Sequence, residues 1–125
     1  MDHMHAMITR PLAKAVGWAL LLSVAAQPGR AALAADPVTL TLSNHHFSPD
    51  QVSVPAGQRF RIELTNRDDT TDEFESYDMK FEKIVVPGAT ISVFAGPLHP
   101  GSYKFFDDYH PDSANGTITA VAGKE

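Results

Sequence analysis

From position 49 onward, turn-forming residues break this chain every few positions. They are Pro49, Pro55-Ala-Gly57, Asn66 to Asp69, Pro87-Gly88, Gly96-Pro97, Pro100-Gly101, Pro111 and Gly116. The runs between them are short and rich in Val, Ile, Thr, Phe and Tyr, which points to strands in a sandwich or barrel. No segment sustains a helical period. Several runs alternate: Val38, Leu40 and Leu42 share one face against Thr39, Thr41 and Ser43. Phe60, Ile62 and Leu64 alternate with Arg59, Arg61 and Glu63. The pattern predicts strands at Val38–Ser43, Gln51–Val54, Arg59–Thr65, Glu73–Ser76, Phe81–Val86, Ala89–Phe94, Gly101–Phe106 and Thr117–Val121. Eight short strands with long late connections suit an all-β Greek-key sandwich.

The fold is expected to begin near Asp36. Arg10 and Lys14 precede an apolar run, Ala15 to Ala26, of about the length of a signal-peptide core. That run is too short for a comfortable membrane span. Small residues at Ala31 to Ala35 offer cleavage after Ala34 or Ala35. Residues 1–35 therefore read as an N-terminal extension and signal peptide, with a single domain at 36–125 that does not span a membrane after processing. His3, Met4 and His5 precede the signal and are lost with it. The expected location is the periplasm.

From Asp36 onward there are seven Lys/Arg and fourteen Asp/Glu, a net charge of −7. That balance argues against nucleic acid, whose phosphates demand a basic face, and suits cations. The chain has no cysteine. It can form neither a disulfide nor a lipid anchor, so stability must come from a packed β core or from bound metal.

The segment Tyr103-Lys-Phe-Phe-Asp-Asp-Tyr-His-Pro-Asp-Ser-Ala-Asn-Gly-Thr-Ile118 resembles the copper-binding loop of a cupredoxin. In that loop an aromatic strand runs into a Cys, a His follows three residues later, and a Gly opens the last strand. Here His110 and Gly116 are present and the Cys position holds Asp107. Asn44-His-His-Phe-Ser-Pro49, Val52-Ser-Val-Pro-Ala-Gly57 and Phe60 to Asn66 resemble the first half of the same fold. Glu73-Phe-Glu-Ser76, Glu82 to Gly88, Gly96-Pro-Leu98 and Phe105 to His110 are similar to a narrower group. These are small cupredoxin-like proteins related to the cupredoxin domain of EfeO, found with periplasmic iron uptake through Ftr-type permeases. The likeness covers residues 38–121.

The resemblance places candidate metal ligands. The position of the first cupredoxin His falls on Glu73-Phe-Glu75, where strand parity turns Glu73 and Glu75 to one face and anchors Phe74 on the other. Two like charges at that spacing repel unless a cation lies between them. Asp107 or Asp108, whose side chains should diverge, and His110 occupy the second ligand loop. The axial Met position falls near Asn115. One of His45 and His46 faces the site: parity favours His46, a bulge before Phe47 would switch it, and the narrower family suggests His45. Met79 reads as core. The ligand set is thus His45, Glu73, Glu75, Asp107, Asp108 and His110, holding a copper or iron ion. Imidazole and carboxylate suit Cu(II), Fe or Mn and disfavour Cu(I). The expected function is iron oxidation or relay, partnered by an inner-membrane iron permease or a periplasmic iron-binding protein. The competing reading is a metal-free interaction module that keeps the fold and docks on such a partner.

Overall fold

The computed structural model describes residues 36–123. The signal sequence, its cleavage region and His3, Met4 and His5 lie outside the described residues. Nine strands follow one another: β1 (Val38–Ser43), β2 (His46–Ser48), β3 (Gln51–Pro55), β4 (Phe60–Asn66), β5 (Asp72–Ser76), β6 (Phe81–Val85), β7 (Thr90–Ala95), β8 (Gly101–Asp107) and β9 (Asn115–Val121). They form two sheets, in the orders β2-β1-β4-β7 and β3-β9-β8-β5-β6. Among the described residues there is no helix.

Alternation built these sheets as expected. Leu40 and Leu42 of β1, and Phe60, Ile62 and Leu64 of β4, are buried between the layers. β1 runs parallel to β4 with Leu42 opposite Asn66, and β3 runs parallel to β9. Phe74 of β5 is 1 % exposed. It sits among Phe47, Phe81 and Phe105 at ring-centroid distances of 5.7, 4.8 and 5.7 Å. Offset and edge-on aromatic contacts of this kind add to the area they bury. They anchor β5 beneath the acidic end of the molecule.

The strand that patterning did not show is β2. The chain does not continue past Ser43 as an extended strand. It reverses at once, through Asn44 and His45, both at positive φ (52° and 58°). β2 then pairs back on β1, with Leu42 opposite Phe47 and Ser43 opposite His46. Phe47 takes the buried face and His46 points to solvent. The reversal puts His45 at the tip of the turn, so parity counted along β1 does not reach it.

Candidate metal centre

Three parts of the chain meet at one end of the sandwich. His45 comes from the β1–β2 turn, Asp72 from the first residue of β5, and Asp107 and His110 from the end of β8 and the loop after it. Ligand atoms of these four side chains all lie within 4.8 Å of one another. His110 Nδ1 is 3.0 Å from Asp72 Oδ1 and 3.2 Å from Asp107 Oδ2. The His45 and His110 rings stack, with centroids 3.7 Å apart and planes 17° from parallel. Asp72 and Asp107 are fully buried.

Backbone donors hold Asp107 in place. Its Oδ1 accepts the amides of Glu73 (3.1 Å) and Tyr109 (3.0 Å), leaving Oδ2 to face His110. The loop itself is tied by hydrogen bonds from the Asp107 amide to Ala114 O and from the His110 amide to Asp107 O. Burial, then the hydrogen bond and charge of Asp107, push the Asp72 carboxyl above its usual 3.8, against the opposing pull of His110. Burial alone would pull the His110 imidazole down. Asp107 and Asp72, through hydrogen bonds and charge, outweigh it, and the net shift is upward from 6.5.

The six-residue centre expected from the resemblance is divided by the pleat of β5. His45, Asp107 and His110 come together, joined by Asp72. Glu73 and Glu75 lie on the opposite face of the strand and group with Asp108, again with ligand atoms within 4.8 Å. Asp107 and Asp108 diverge as parity required: one is buried, the other exposed. Asp72, one residue before the Glu73–Glu75 pair, is the carboxylate that β5 turns toward His45, Asp107 and His110. A signal for it was available. Asp72 shares the parity of Phe74, and an acidic residue on the face of a core Phe must have partners there. Of the other residues considered, His46 is exposed, Met79 packs against the core, and Asn115 donates its side-chain amide to Pro111 O.

The carboxylates of the outer group repel one another. Glu75 is pushed above its usual 4.5 by burial first, then by the charges of Asp108, Glu82 and Glu73. The Tyr77 hydroxyl, beside Glu75, is pushed up mainly by that residue's charge. Replacing Glu73 and Glu75 together by Gln keeps the shape and removes the repulsion. The metal-free double variant should melt up to a few degrees higher at pH 7. A lower melting temperature by scanning calorimetry would show that the pair is not under like-charge strain.

Comparison with known proteins agrees with this architecture. The sequence model of the cupredoxin-like domain matches residues 12–120. An uncharacterized protein of Rickettsia prowazekii (strain Madrid E) is 44 % identical over 81 residues, a match spanning 65 % of this chain and 65 % of that protein. Among solved structures, a purple cupredoxin from Nitrosopumilus maritimus superposes with a TM-score of 0.55 at 19 % identity, over 67 % of this chain and 99 % of its own. Auracyanin from Roseiflexus castenholzii gives 0.57 at 14 % identity, over 70 % and 98 %. A Cu-containing nitrite reductase from Thermus scotoductus gives 0.55 at 20 % identity, over 74 % of this chain and 24 % of that one. The family match spans most of the sequence, and the two-sheet fold superposes on these structures. The chain belongs to the cupredoxin-like domain family.

Proposed function

We propose that this domain binds a copper or iron ion through His45, Asp72, Asp107 and His110, at a cupredoxin-type site that has no thiolate. The observation that carries the reading is the meeting of two imidazoles and two buried carboxylates, with ligand atoms within 4.8 Å of one another. His45 Nδ1 is in addition buried with no hydrogen-bond partner. A divalent cation would satisfy such a cluster. The Cu-containing nitrite reductase among the solved relatives supports copper. The donor set suits Cu(II) and iron alike.

The further reading is a role in iron oxidation or relay for an iron-uptake permease or a periplasmic iron-binding protein, in an exported domain. Its support is the likeness of residues 38–121 to proteins of such systems, together with the chemistry of the donors. Anionic oxygen ligands favour ferric over ferrous iron, so a bound ferrous ion would yield its electron more readily to Cu(II) or dioxygen.

Titration of the purified chain with Cu(II), Fe(II) and Mn(II), followed by EPR of the copper form, tests the reading. One Cu(II) per chain should bind and give a weak tetragonal spectrum with nitrogen and oxygen ligands. The intense blue band should be missing, since that absorption needs a Cys thiolate. His110→Ala should weaken copper binding by about 100-fold or more. No stoichiometric binding of any of the three metals would overturn the proposal and leave the metal-free docking module.

A further inference from the structure

We propose that Asp68 is a positioning residue for His45: its carboxylate clamps the turn that aims the imidazole at His110. The proposal rests on the reading of the four-residue centre above. Three members of that centre are held by the sheet or by the β8 loop. His45 alone stands on a two-residue hairpin turn, and both turn residues have positive φ. Turns of this kind favour Asn followed by Gly. Asn44 fits the first place, and His45 adopts the second less readily than Gly would. A contact from outside the turn holds it there.

Asp68 does so with both oxygens. Its Oδ1 accepts the Asn44 amide at 2.6 Å, and its Oδ2 accepts the His45 amide at 3.0 Å. Charge-assisted bonds to adjacent amides fix the reversal more firmly than neutral acceptors would. The clamp is itself anchored. The Asp68 amide donates to Asn66 Oδ1 at 2.9 Å. Asn66 is fully buried, and its Nδ2 donates to Thr70 O (2.8 Å) and Val85 O (3.1 Å). The neighbouring Arg67 amide donates to Leu42 O of β1 at 2.8 Å. A continuous chain of hydrogen bonds therefore runs from β6 through Asn66 and Asp68 to the turn. Asp68 Oδ2 also lies 3.5 Å from His45 Nδ1, too far for a hydrogen bond of ordinary length. Both oxygens are engaged by backbone amides, and Asp68 is not among the four side chains whose ligand atoms cluster. It acts on the centre through His45.

The test uses Cu(II) as the probe on the full chain and four variants: Asp68→Ala, Asp68→Asn, His45→Ala, and Asp68→Ala combined with His45→Ala. Partners that orient a metal-binding His are typically worth 10–100-fold in affinity. Asp68→Ala should fall in that range and lose one nitrogen from the copper EPR spectrum, as His45→Ala does. Asp68→Asn keeps one good acceptor and should fall between it and the native protein. In the His45→Ala background, Asp68→Ala should cost less than about twofold, because two residues acting through one path do not add. An equal loss in both backgrounds would overturn the proposal, since Asp68 would then act through general stability. A second arm needs no metal. In the NMR spectrum of the metal-free protein, Asp68→Ala should shift the Asn44 and His45 amides upfield and remove the mutual ring-current shifts of His45 and His110. If those ring shifts persist, the clamp is overturned. If the native protein binds no Cu(II), the four-residue reading fails by itself, and the NMR arm still decides the role of Asp68.

Discussion

Gly116→Ala should be among the most damaging single substitutions in the described domain, costing about 3 kcal/mol. A Cβ at this position would collide with Phe105 Cζ and lie 2.6 Å from Asp50 O and 2.7 Å from Phe105 Cε1. Neither neighbour can give way. Phe105 is Gly116's partner across the β8–β9 ladder, fully buried, and edge-on to Phe47 at 5.0 Å. The Asp50 carbonyl already accepts the Thr117 amide at 2.8 Å. For a domain of this size the penalty corresponds to a fall of about 12–24 °C in melting temperature. Thermal unfolding by circular dichroism measures it. A fall of less than about 4 °C would mean that β9 can move off Phe105 and that the contact is not a constraint.

Asp72→Asn should lower copper affinity by at least about 100-fold and flatten an unusual pH dependence of the metal-free fold. The sign follows from the two shifts. The folded protein holds the Asp72 proton above 3.8 and the His110 proton above 6.5. Each contribution to stability is complete below the unfolded value and is lost as pH rises through the raised, folded one. Glu75 shifts in the same direction from 4.5. The metal-free protein should therefore be most stable in mild acid and weaken steadily as pH rises through 7. Metal binding must displace those same protons, so copper affinity should run the opposite way and rise with pH. Melting curves of the chelator-treated protein between about pH 4.5 and 8.5 test the first slope, and copper titrations over the same range test the second. Stability that increases with pH would overturn the upward shifts of Asp72 and His110.

Much of this was readable from residues, and the limits are physical. Turn spacing and alternation marked eight of the nine strands because each buries one face. The Asp107–Asp108 divergence and the anchoring of Phe74 followed from pleat geometry alone. β2 was hidden because three residues are too few to show a period, and because a tight reversal at Asn44-His45 carries no Gly. The place of Asp72 was not read, for a different cause. The resemblance pointed to Glu73 and Glu75, and Asp72, one residue earlier, lies on the other face of the strand. The clamp by Asp68 links positions 24 and 23 residues apart, and no periodicity encodes a side chain bonding to a distant turn.

The four side chains of the centre are scattered along the chain: His45, Asp72, then Asp107 and His110 only three residues apart. Of these four, an unfolded chain keeps only the last pair close together, a weak chelate. The complete centre forms only when β1, β5 and β8 have met. A metal held by all four therefore favours the folded state over the unfolded one by nearly its full binding free energy. Such a metal would be acquired only as the sheets close. The choice of ion for such a centre would then rest with the free metals present where the sheets close.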